Sequence, residues 1–139
     1  VKHWKQIPDL KRALADLNGT DFFVTLPKFQ TSDNLVQFVK KLTNNHWYSL
    51  SSPLEGDVFN SSFWKSYWLK NNNYEPIESI YAEDKYKYAI TKQPNILIDD
   101  RPYNIEKWNK KGGIGILYQA NKDDFNELKT KLENYYQNN

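Results

Sequence analysis

The sequence predicts an α/β chain built on a parallel sheet, and three observations carry that expectation. Strand-like and helix-like patterns alternate along its 139 residues. Residues 95–98 form a strand whose Ile96, Leu97 and Ile98 are too continuously apolar to keep one face in water, as within a parallel sheet. Pro102 then suits the first turn of a helix and Gly112 its C-terminal cap, so a strand, a helix and a second strand follow one another.

Each element can be justified in order. Leu10, Leu14 and Leu17 recur at helical spacing within residues 4–18. "TDFFVTL" (20–26) is a short extended or irregular segment ended by Pro27. From Ser32 and Asp33, either of them a good N-cap, the residues Leu35, Val36, Phe38, Val39 and Leu42 give an amphipathic helix. "HWYSLSS" (46–52) is a strand running into a polar turn at Ser51, Ser52 and Pro53. Residues 57–70 carry Val58, Trp64, Tyr67 and Trp68 on another helix, and "NNN" (71–73) is a loop. "PIESIYA" (76–82) is a short strand and "EDKYKYAIT" (83–91) a short helix or turn. "GIGILYQ" (113–119) is the strand after the proline-led helix, and Phe125, Leu128, Leu132 and Tyr135 line the last helix.

Composition narrows the function. A hydrophobic content of 39% supports one core, and a net charge of +2 gives no strong signal for nucleic acid or an anionic membrane. The absence of cysteine excludes disulfides, thiolate metal sites and thiol catalysis. No apolar run is long enough to cross a membrane, and "VKHWKQIPDL" is not a signal peptide, so a cytoplasmic protein is expected. The sequence also lacks methionine, which points to an upstream segment that was cut off, processed away or encoded elsewhere.

Asp99 and Asp100 pose the main chemical question. Adjacent carboxylates repel and raise each other's pKa, so something must compensate for them. In parallel sheets, ligands bind beyond the carboxyl ends of the strands. Asp99 and Asp100 stand at one such end, Ser51 and Ser52 at another, and Lys85 and Lys87 just after a third. Carboxylates suit Mg²⁺, which takes one or two protein ligands plus water and phosphate. Hydroxyls and an ammonium suit the phosphate oxygens.

Plainer readings stand beside these. Adjacent acids commonly form a solvated turn; the apolar run before them and the proline-led helix after them favour a metal site. Ser51 and Ser52 alone would be turn formers, and Lys85 and Lys87 a solvated helix face. Arg101 and Asn104 are expected to brace the loop, and His3 and His46 have no partner at ligand spacing. Phe63, Trp64, Tyr67 and Trp68 read as core or interface, with room for a protein partner. Gly112, Gly113 and Gly115 make no dinucleotide fingerprint, because a strand follows them.

The order "SLSSP", "DKYKYA" and "LIDDRPYNI" before a "GG" turn resembles the later motifs of the haloacid dehalogenase superfamily of phosphatases. The likeness is greatest to the 5′(3′)-deoxyribonucleotidases and related nucleotidase-like proteins of phages and bacteria. It covers about residues 20–120, and "LIDDRPxN" is its most specific part. The resemblance implies a Rossmann-type parallel sheet flanked by helices, with residues 1–20 a remnant of the cap or a linker helix and 21–139 the core. It assigns Ser51 and Ser52 to the phosphoryl group, Lys85 or Lys87 to the third-motif lysine, and Asp99 and Asp100 to Mg²⁺. Ser51 and the lysine would be the catalytic contributions of this chain.

One motif is missing. The superfamily's first strand ends in Asp-x-Asp, whose first aspartate attacks phosphorus. "DFFVT" (21–25) mimics the spacing, but Phe23 replaces the second acid and no apolar strand precedes it. Two expectations follow. In one, the chain is the C-terminal portion of a Mg²⁺-dependent phosphoric monoester hydrolase acting on a nucleotide, inactive until an upstream Asp-x-Asp segment completes it. In the other, it is a non-catalytic module of the same fold that binds a protein partner or serves a structural role in a phage particle. A phage origin would place it in the host cytoplasm or the virion.

Overall fold

The computed structural model describes residues 9–29 and 31–137. The elements, in chain order, are α1 (Leu10–Ala15), α2 (Ser32–Thr43), β1 (Tyr48–Ser51), α3 (Val58–Asn71), β2 (Glu78–Tyr81), β3 (Ile96–Asp99), α4 (Pro102–Lys110), β4 (Ile114–Leu117) and α5 (Phe125–Gln137). Short 3₁₀ turns lie at Phe22–Thr25 and Lys85–Tyr88. The class is mixed α/β. Instead of one continuous sheet, the described strands form two pairs, β1 with β2 and β3 with β4. Each pair is closed by its own helix, the crossover that parallel strands require.

The chain divides into two compact units: one holds the residues up to Pro27, Leu50–Glu75 and Ser79–Glu83; the other holds Lys28–Ser49, Pro76–Glu78 and the chain from Asp84 onward. In the second unit, β3 and β4 run parallel in the register Ile96↔Ile114, Leu97↔Gly115, Ile98↔Ile116 and Asp99↔Leu117. The core gathers Ile116, Tyr118, Leu128 and Leu132, with Leu35, Phe38 and Leu42 of α2 and Ile96 and Ile98 of β3 packed against it. Leu97, on the opposite face of β3, is also buried. The strand therefore has no wet face, which its continuous apolar run required.

Local chemistry sets the ends of α4. Pro102 opens it, where a missing N–H costs nothing. Gly112 follows its last turn at φ 105°, a conformation that a side chain would strain. Trp108 is 3% exposed and donates its indole N–H to the Asn95 carbonyl at 3.1 Å. A Cβ at Gly113 would collide with that indole ring, so glycine is required there.

The start of α2 differs from the cap expected at Ser32 or Asp33. Ser32 is already helical, no side-chain cap bond forms, and the Asp33 carboxylate pairs with Lys28 at 2.9 Å instead. At the N-terminus, only Leu10–Ala15 of the expected helix over 4–18 is observed, and residues 1–8 lie outside the described residues.

In the first unit, α3 packs against the Phe22–Thr25 turn. The Trp68 indole donates to the Leu26 carbonyl at 2.7 Å, and the Asn60 amide to the Thr20 carbonyl at 2.9 Å. The segment expected to be extended or irregular is thus a tight turn fastened to a helix. No helix among the described residues is long and apolar enough to cross a membrane.

Candidate metal and phosphate site

Asp99 is the last residue of β3, and the chain leaves the strand there for the first turn of α4. Both oxygens of its carboxylate are engaged. One oxygen accepts Lys85 Nζ at 2.7 Å; the other accepts the Arg101 N–H at 2.9 Å and the Asn104 amide at 3.2 Å. Asp99 and Asn104 are 8% and 7% exposed, so the pair is sheltered from water. Burial by itself would raise the Asp99 pKa. The Lys85 ammonium and the two hydrogen bonds outweigh it and hold the carboxyl below its usual value.

Asp100 is different. Its side chain is exposed, and its pKa is raised, first by partial burial of the carboxyl and then by the Asp99 charge. Solvent at this exposed position screens much of that effect. The two neighbours are thus unlike: Lys85 holds the Asp99 carboxyl below its usual value, while burial and the Asp99 charge outweigh the pull of Lys85 at Asp100.

The two candidate lysines differ in their partners. The 3₁₀ turn at Lys85–Tyr88 turns Lys85 inward, with its side chain 11% exposed, onto Asp99. Lys87 points outward, 65% exposed, and pairs with Asp84 at 3.3 Å. Asn104 braces the Asp99 loop, as its place after the acids suggested.

Ser51 and Ser52 belong to the other unit. There Lys65, midway along α3, donates to the Ser51 hydroxyl oxygen at 3.2 Å and to the Ser52 carbonyl. Lys65 was not among the residues that the sequence singled out beside Ser51. It lies fourteen residues away across a strand end, a turn and two turns of helix, a separation without a recognisable period. On the same helix, Phe59, Phe63 and Tyr67 are 92%, 57% and 44% exposed. His46 is exposed, with its ring edge-on to Tyr48, and His3 lies outside the described residues.

Two adjacent carboxylates are hard oxygen donors of the kind Mg²⁺ accepts, and they fit it as a partial set. Among the described residues, no group of three or more His, Cys, Asp or Glu side chains gathers at one place. Water and phosphate would have to complete the coordination. No protein-family model, curated protein or solved structure matches the chain.

Proposed function

We propose that the chain is the phosphate- and Mg²⁺-holding part of a haloacid dehalogenase-type phosphatase acting on a nucleotide. The observation that carries this reading is the buried Lys85–Asp99 pair at the end of β3, with the exposed Asp100 carboxylate beside it. A structural ion pair alone would not need a second acid at its edge. A cation there would relieve the repulsion that the protein leaves in place.

In this reading Asp100 and the remaining lone pair of Asp99 would hold Mg²⁺, which would supply charge neutralisation to a bound phosphate. Lys85 keeps Asp99 ionised and oriented, and it adds positive charge near the transferring group. In the other unit, Ser51 and Ser52 are assigned to phosphate oxygens on their motif alone. The attacking aspartate is not among the residues of this chain, which therefore binds but does not turn over.

Thermal melting tests the metal. Mg²⁺ that binds only the folded state should raise the melting temperature by roughly a few degrees near saturation. The Asp99→Asn, Asp100→Asn double variant should lose this response. An equal response in both proteins removes the metal from the account.

A second reading is a non-catalytic binding module of the same class. The exposure of Phe59, Phe63 and Tyr67 along one stretch of α3 favours it, because such apolar surface is characteristic of a docking face.

A further inference from the structure

The loop after β1 is held at two points by one face of α3. Ser61 and Lys65 are four residues apart and so lie one above the other on the helix. The Ser61 hydroxyl, 1% exposed, accepts the Leu54 N–H at 2.9 Å, while Lys65 takes the Ser52 carbonyl. Between them the loop has little freedom, and the Ser51 side chain stands at its start. The Lys65 ammonium also sits over the Phe23 ring, 4.6 Å from its centroid.

A serine hydroxyl has one hydrogen to donate and two lone pairs with which to accept, whereas a lysine ammonium can only donate. With Lys65 Nζ at 3.2 Å, one lone pair of Ser51 Oγ is taken, and its own hydrogen must point elsewhere. The reverse arrangement, a neutral amine drawing the proton from Ser51, would make a serine nucleophile. The ring face of Phe23 opposes it, since such a face attracts the cation rather than the free amine. The pair is therefore built to donate.

We propose that Lys65 is a positioning residue that turns the Ser51 hydroxyl outward as a hydrogen-bond donor to a phosphate oxygen. This rests on the assignment of Ser51 to phosphate made above and adds to it the group that aims the hydroxyl. Replacing Lys65 frees the hydroxyl to rotate, and phosphate must then bear the cost of ordering it.

The test is a titration of the full chain with inorganic phosphate, followed by the amide NMR signals of Ser51, Ser52 and Leu54. The wild type is expected to bind at these amides. Lys65→Met should weaken binding roughly tenfold, the scale of one hydrogen bond to a charged group. Lys65→Arg, which also can only donate, should restore most of the affinity. Ser51→Ala combined with Lys65→Met should bind no more weakly than Ser51→Ala alone, because the lysine acts through the serine. The spectra of the phosphate-free variants report whether each is folded. Should Lys65→Met bind as tightly as the wild type, or the two effects add in full, Lys65 has no positioning role although the phosphate site stands. Should the folded wild type show no phosphate response at Ser51, both this inference and the phosphate assignment fall.

Discussion

At the scale of single residues, the carboxylates after β3 divide their labour in a way their adjacency did not reveal. The sequence made the repulsion between Asp99 and Asp100 visible and assigned its relief to a bound cation, with the two nearby lysines assigned to phosphate. It could not choose between Lys85 and Lys87, since both follow the same strand within one short turn. The inward direction of the 3₁₀ turn decides the matter. Because the folded pKa of Asp99 is below its ordinary value of 3.8, the stability it contributes is present above that value. It is lost as the pH falls through the lower, folded value. Lys85→Met would leave the buried carboxylate with only the Arg101 N–H and the Asn104 amide. It should cost about 3 kcal/mol at neutral pH, read by urea unfolding, and the deficit should shrink in acid. A deficit that persists unchanged after Asp99 is protonated would mean that the lysine stabilises by packing, not by charge.

At the scale of elements, the patterns that repeat with a clear period were legible. The apolar positions of α2 and α5 meet in one core through Phe38 and Phe125, whose rings lie edge to face 6.2 Å apart. The proline before α4 and the glycine after it located both ends of that helix. Less legible was α3, whose aromatic residues are spread around its circumference. Tyr67 is exposed while Trp68, its neighbour, reaches the Leu26 carbonyl. No period in the sequence says which of these faces inward. The "GG" turn also had a second meaning: Gly112 answers to backbone conformation, but Gly113 answers to the Trp108 indole pressed against it. Gly113→Ala should therefore cost about 1–3 kcal/mol in urea unfolding, the range for overpacking a core. Stability equal to the wild type would show that Trp108 can move aside, and that its bond to Asn95 contributes little.

At the scale of the whole molecule, alternation of strand and helix correctly indicated the α/β class. The single sheet did not follow, because four-residue strands closed by their own helices can form separate pairs. The motif order led to the expectation that Ser51 shares a site with Lys85, Asp99 and Asp100; Ser51 belongs to one compact unit and the other three to the second. The sequence contains no Asp-x-Asp motif. The protein alone should hydrolyse nucleoside monophosphates or p-nitrophenyl phosphate no faster than buffer with Mg²⁺. Adding a segment that ends in Asp-x-Asp, in the same chain or as a second one, should bring turnover. Turnover by the chain alone that disappears in Asp21→Asn would instead make "DFFVT" the nucleophile segment.

The central claim is that Asp99 and Asp100 form a cation site, and paramagnetic Mn²⁺ in place of Mg²⁺ locates such a site residue by residue. Trace Mn²⁺ added to the isotope-labelled protein should first broaden the amide signals of Asp99, Asp100 and Arg101, and the Asp99→Asn, Asp100→Asn variant should abolish this. Broadening centred on another acidic pair, such as Asp123 and Asp124, or unchanged in the variant, would contradict the claim.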